Sequence, residues 1–132
     1  MGPESKLYKK LTKEWSDFSF TRLENLSLLG TPDLLVCNNN GHFFTVELKV
    51  TKGKKVLFSP HQLAFHIKHP KNTFIMIQAL GPRATNRFQL FRGSRILELE
   101  ACGLKLDAWG LPPVILFYLS LVLEAWRLWL VA

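Results

Sequence analysis

From Glu4 to Trp15 the apolar positions recur at helical spacing. Leu7, Tyr8, Leu11 and Trp15 form one stripe, while Lys6, Lys9, Lys10 and Lys13 line the other faces. Glu4 lies three and four residues before Leu7 and Tyr8, so it shares the inward stripe in the first turn. From Phe18 to Leu28 the period changes to two, which predicts a strand with Phe18, Phe20, Arg22, Glu24, Leu26 and Leu28 on one side. Leu34 to Cys37 is a short apolar strand. Asn38-Asn39-Asn40-Gly41 is a turn signal, and Phe43 to Val50 is the return strand. Phe44, Val46, Leu48 and Val50 are expected to pack on the core, with Phe43, Thr45, Glu47 and Lys49 on the opposite, open face.

Lys52-Gly53-Lys54-Lys55 reads as a basic loop. Ser59-Pro60-His61-Gln62 then opens a helix, with Ser as N-cap, Pro at the first position and Gln placed for a capping box. Leu63, Ala64, Phe65 and Ile67 are expected to form its apolar side, and Pro70 limits its length. Thr73 to Leu80 and Arg87 to Phe91 read as strands. Gly81-Pro82-Arg83 starts a loop, and Ile96 to Cys102 is a short helix closed by Gly103. The predicted order is α-β-β-β-α-β-β-α, a mixed α/β sandwich built round a sheet.

Leu111 to Leu123 is almost uninterrupted apolar sequence, opened by Pro112-Pro113 as at the start of a helix. Thirteen residues are too few to span a bilayer, and extending to Ala132 brings in Glu124 and Arg127. Each charge costs about 2.5–3.5 kcal/mol in a membrane. A helix buried in the fold or in a dimer interface is therefore favoured over membrane insertion. Residues 1–105 are read as the core and 106–132 as an apolar helical segment of the same domain or of that interface.

Charge adds a partner class. The chain of 132 residues has a formal net charge of +7. Residues 1–105 hold 16 of the 17 Lys and Arg and 8 of the 10 Asp and Glu, a formal +8. Such a surface suits a polyanion, with nucleic acid first. Cys37 and Cys102 make no disulfide framework, and the N-terminus reads as a charged helix rather than a secretory signal; an intracellular, cytoplasmic setting is expected. The four histidines have no partner pattern for zinc.

The chemistry concentrates in Gly30-Thr31-Pro32-Asp33 and Glu47-Leu48-Lys49. Asp33 and Glu47 are hard oxygen donors that can converge on Mg²⁺ or Mn²⁺. Lys49, two residues beyond Glu47, points to the same strand face, where an ammonium can hold an attacking water. Taken singly, Asp33 is an ordinary turn residue and Glu47 with Lys49 an ordinary solvated pair.

In combination these pieces resemble the PD-(D/E)XK nuclease superfamily, and within it the small Holliday-junction-resolvase-like, VRR-NUC and phage endonuclease I types. The resemblance covers about residues 4–105. It rests on Glu4-Ser5-Lys6-Leu7-Tyr8-Lys9-Lys10-Leu11, Gly30-Thr31-Pro32-Asp33-Leu34-Leu35, Val46-Glu47-Leu48-Lys49, Ser59-Pro60-His61-Gln62 and the late Leu90-Phe91-Arg92-Gly93-Ser94. It implies a restriction-endonuclease-like core, a mixed sheet flanked by helices. It also implies Mg²⁺- or Mn²⁺-dependent hydrolysis of DNA phosphodiesters, selective for DNA shape. Asp33, Glu47, Glu4 and the Leu48 carbonyl would hold the metal, Lys49 would orient the nucleophilic water, and Gln62 would act as a site residue or only as a cap. Glu14 and Glu24 compete with Glu4 for its role.

Lys52, Lys54, Lys55, Lys68, Lys71, Arg83, Arg87, Arg92 and Arg95 are candidate phosphate contacts. No base-reading module is present in the sequence. Two cuts at a junction imply a homodimer, with the apolar C-terminal segment as its contact. Small nucleases of this pattern imply a phage or mobile-element origin. An end-processing or single-strand nuclease, an inactive DNA-binding protein and a membrane-associated basic protein are the competing readings.

Overall fold

The structure is a computed structural model and describes residues 2–23, 29–80 and 88–105. The predicted segment 106–132, residues 24–28 of the first predicted strand, and residues 81–87 with Arg83 and Arg87 lie outside the described residues.

Among the described residues, the α-helices and strands follow the expected order: α1 (Pro3–Glu14), β1 (Ser19–Arg22), β2 (Leu34–Cys37), β3 (Phe43–Thr51), α2 (Pro60–Lys68), β4 (Thr73–Ala79), β5 (Phe88–Arg92) and α3 (Ile96–Cys102). The strands form one sheet in the order β1-β2-β3-β4-β5. The Asn38–Gly41 turn joins β2 to β3 antiparallel, and Asn38 Oδ1 accepts from the N–H groups of Asn40 and His42. β3 and β4 are parallel, with α2 as the crossover. β1 and β5 close the two sides antiparallel.

β4 shows why the sheet is buried on both faces. Phe74 and Met76 pack with Leu7, Leu11 and Trp15 of the α1 side. Ile75 and Ile77 pack with Val56, Phe58, Ile96 and Leu99 of the α2–α3 side. A continuous apolar run is what a strand between two helical layers requires. α1 thus covers one face, and α2 with α3 the other.

Two expectations change. The face of β3 carrying Glu47 is not open, because α2 lies over it and Glu47 is only 2 % exposed. On α2, Ala64 is exposed and Ile67 is 57 % exposed, while His66 is fully buried. Gln62 and His66, one turn apart, set the inward side. The His66 ring fits because Gly93 faces it: a Cβ there would collide with both Thr73 and the ring.

Candidate active site

Asp33 reaches its position through backbone chemistry. Gly30 has φ +86°, and a Cβ on it would overlap the carbonyl of His61. Glycine is therefore needed twice over, for the left-handed conformation and for close approach to the start of α2. The buried Pro32 follows, and Asp33 enters β2 with its carbonyl accepting from the Leu23 N–H at 2.9 Å. Its Oδ2 accepts from the Leu48 N–H at 2.8 Å. In a strand the N–H and C=O of one residue point the same way. The Leu48 carbonyl therefore faces the Asp33 side too.

Glu47 and Lys49 are in register with Ile75 and Ile77 and share their face, under α2. Gln62 joins them. Its Nε2 donates to Glu47 Oε1 at 2.7 Å, and its Oε1 accepts from Lys49 Nζ at 3.0 Å. The same Oε1 accepts from the Ser59 N–H at 3.0 Å, and Ser59 Oγ accepts from the Gln62 N–H at 3.2 Å. The capping box and the link to both charged residues are one set of bonds. Lys49 Nζ also lies 5.3 Å from the centre of the Phe58 ring.

Glu4 stands in the first turn of α1, and with Arg22, Asp33 and Leu48 it lines a cleft of about 300 Å³. The Arg22 guanidinium sits 5.0 Å over the Tyr8 ring. Arg22 pairs with Leu34, the residue after Asp33, so the register brings it to the site. The sequence alternation sets Arg22 on one side of its strand with Phe18 and Phe20, but β1–β2 pairing is needed to see its proximity to Asp33.

The carboxyls disturb one another. Burial, then the negative charge of Asp33, pushes Glu47 up to about 9, against the pull of Lys49; Glu4 adds to the rise. Asp33 is raised by burial, opposed by the Leu48 N–H, by Lys49 and Arg22, and last by the neighbouring Glu47 carboxyl, which favours ionised Asp33 only while it keeps its own proton. Glu4 is raised by partial desolvation of its carboxyl and by Asp33, with Lys49 opposing. Glu47 Oε2 is buried with no protein partner. An orphaned carboxylate oxygen beside a second carboxylate suits a hard cation as the missing partner. The donor set is all oxygen, as Mg²⁺ or Mn²⁺ prefers. Among the described residues no three His, Cys, Asp or Glu side chains enclose a metal position by themselves. Carbonyl, water or substrate oxygens would have to complete the shell.

The basic residues divide. Lys52, Lys54 and Lys55 are exposed in the loop that leaves β3 just past Lys49. Lys68 and Lys71 are exposed near the far end of α2, where Asn72 O accepts from the Thr45 N–H. Arg92 is on β5, with β4 between it and β3, and Arg95 lies 3.4 Å from Glu98. Glu14 ends α1, at the opposite end of the helix from Glu4, and Glu24 lies outside the described residues.

Neither a protein-family model nor a curated protein sequence matches the chain. Among solved structures the chain is similar to Hjc of Archaeoglobus fulgidus, a Holliday junction resolvase from an archaeal hyperthermophile. The TM-score is 0.50 at 18 % identity, over 67 % of this chain and 76 % of that one. At that identity the likeness concerns the fold, which is the restriction-endonuclease-like α/β arrangement of a five-stranded sheet flanked by helices.

Proposed function

We propose that this chain is a Mg²⁺- or Mn²⁺-dependent DNA endonuclease that recognises DNA by shape, a branched junction first. The observation that carries this reading is the Glu47–Gln62–Lys49 set beside Asp33, with Glu47 Oε2 buried and unpartnered. A buried acid, an acid hydrogen-bonded to its neighbour's strand and a tethered ammonium on one face are costly unless a cation and an anionic substrate complete them.

In this reading Asp33, Glu47 and the Leu48 carbonyl hold the metal, and Glu4 approaches directly or through water. A divalent cation bound there supplies Lewis-acid polarisation of the phosphate and a more acidic water. The protein's own groups do the rest. Gln62 keeps the Glu47 carboxyl and the Lys49 ammonium in fixed relation, so neither has to be reoriented when substrate arrives. Lys49 holds the nucleophilic water and offsets negative charge as the phosphodiester is attacked in line. Arg22, locked over Tyr8 at the rim of the cleft, is placed for a phosphate oxygen. Lys52, Lys54 and Lys55 extend that contact along the backbone.

The preference for a junction is supported by the likeness to a protein described as a Holliday junction resolvase. Junction resolution needs paired cuts and thus two copies of the chain; light scattering at micromolar concentration that gives a monomeric mass counts against it. The test is cleavage of a four-way junction, a linear duplex and a single strand in Mg²⁺ or Mn²⁺, with Asp33→Asn beside the parent. Junction cutting that disappears in the variant supports the whole reading. Cutting of linear or single-stranded DNA alone keeps the hydrolase and removes the junction. No cutting by folded protein removes the enzyme.

A further inference from the structure

Leu57 is one of several exposed apolar side chains among the described residues, and the one that sits in the basic segment between β3 and α2. It is 68 % exposed, yet its neighbours Val56 and Phe58 are buried in the core on the α2–α3 side. The segment is pinned at several points. Thr51 Oγ1 donates to the Gly53 carbonyl at 2.9 Å, the Leu104 N–H donates to the Lys54 carbonyl at 2.7 Å, and the cap at Ser59 follows directly. Gly103 packs so closely that a Cβ would overlap the same Lys54 carbonyl. With residues 56 and 58 buried on either side of it, residue 57 is held outward. Leu57 is thus a fixed projection, next in sequence to the ring that packs on Lys49.

The surroundings select the partner. Residues 51–61 contain Lys52, Lys54 and Lys55 and no acidic residue. A surface that offers both cations and one rigid apolar side chain matches a polyanion with flat apolar faces, which is a nucleic acid with its bases accessible. Phosphates account for the lysines but not for the leucine. Apolar wedges that enter a base step unstack it and bend the duplex, most easily where stacking is already weak.

We infer that Leu57 is a wedge that enters the base stack beside the phosphate held at the site, with Lys52, Lys54 and Lys55 gripping the flanking backbone. The inference rests on the proposed action on DNA and names the residue that turns shape into selectivity. A branch point or flexible step admits Leu57 at little cost, whereas a stacked duplex has to be opened. Leu57 is a positioning residue; it does not touch the reacting atoms.

The test uses four-way junctions and duplexes carrying 2-aminopurine at successive steps, bound in EDTA so that no strand is cut. The parent should raise 2-aminopurine fluorescence at one step. Leu57→Ser should abolish the rise and weaken junction binding roughly tenfold, with the salt dependence unchanged because no phosphate contact is lost. Leu57→Met, which keeps an apolar tip, should retain the signal, and equal melting temperatures establish that both variants fold. An equal rise and equal affinity in parent and Leu57→Ser overturn the wedge, as does DNA binding by the parent with no rise at any step. A change in oligomeric mass on Leu57→Ser with DNA unstacking intact also overturns it, in favour of a protein contact. If the parent binds no DNA, the wedge and the enzyme fall together. If it unstacks the junction but does not cut it in Mg²⁺, the wedge stands and only the enzyme falls.

Discussion

Raising the pH should destabilise the metal-free protein, and Glu47 is the reason. Unfolded, its carboxyl titrates near 4.5; folded and buried beside Asp33, it is pushed up to about 9. Below the lower value both states are protonated. Between the two, the folded state retains a proton that the unfolded state has lost, so each rise in pH favours unfolding. Above the upper value the penalty is complete. The slope is about 1.4 kcal/mol per pH unit for one retained proton, whichever of the two coupled carboxyls holds it. His66 acts in the opposite direction: burial lowers its pKa, so its penalty appears only as the pH falls below its ordinary value of 6.5. The range from pH 7 to 8.5 therefore isolates the carboxyl pair. Over it the protein in EDTA should lose about 2 kcal/mol, or roughly 10 °C in melting temperature for a domain of this size. Glu47→Gln should remove most of the slope, since the amide keeps the Oε1 acceptor used by Gln62 and does not ionise. Mg²⁺ should flatten or reverse it, because a bound cation favours the ionised pair. Thermal melts at intervals of half a pH unit, with and without Mg²⁺, make the comparison. A parent whose melting temperature is level over this range, or a Glu47→Gln variant with the parent's full slope, would falsify the electrostatic account of the site.

Further outcomes follow from the same geometry. Gln62→Ala should cost about 1–2 kcal/mol in a denaturant melt, through the cap and the buried polar groups left behind, and should reduce cleavage more than DNA affinity; equal losses in both would mean that Gln62 only holds the helix. Lys49→Met should leave DNA binding in EDTA within about twofold while single-turnover cutting falls at least a hundredfold, on the order of losing one charge-stabilising donor; a similar collapse of binding would assign the lysine to substrate recognition instead. Gly30→Ala should lower stability by more than about 1 kcal/mol, because the left-handed φ and the His61 carbonyl both oppose a Cβ; a melt indistinguishable from the parent would remove that contact from the argument. Ser59→Ala should cost about 1 kcal/mol, and because Gln62 loses one of its anchors, circular dichroism and cleavage should decline together.

Local patterns carried the framework well. The Ser59–Gln62 signature located a helix start to the residue, the Asn38–Gly41 turn set a hairpin, and Gly103 closed α3. These features depend on neighbours in the chain, so a sequence displays them. What the sequence obscured depends on neighbours across the fold. Alternation put Glu47 opposite the packed face of β3, but only the crossover of α2 reveals that this face is covered. On α2 hydrophobicity pointed to Ile67, whereas the inward place went to His66, because Gly93 on a distant segment leaves room for its ring. Arg22 came to the site through its pairing beside Asp33, a register that no local motif encodes. The union of cap and site in Gln62 was visible only as two separate possibilities. It took the positions of Glu47 and Lys49 to show that one side chain serves both.

That double use of Gln62 has a consequence for how such a centre can be altered or transplanted. Its carbonyl oxygen answers to the backbone of Ser59 and to the ammonium of Lys49 at once. The chemistry is therefore assembled by the same event that starts a helix, and a chain in which α2 has not formed has no half-built centre to expose. A designer who moved Asp33, Glu47 and Lys49 onto another sheet would obtain three charges without a common frame. The smallest portable unit is the β2–β3 hairpin with Asp33 at its start, together with the first turn of the helix that follows β3.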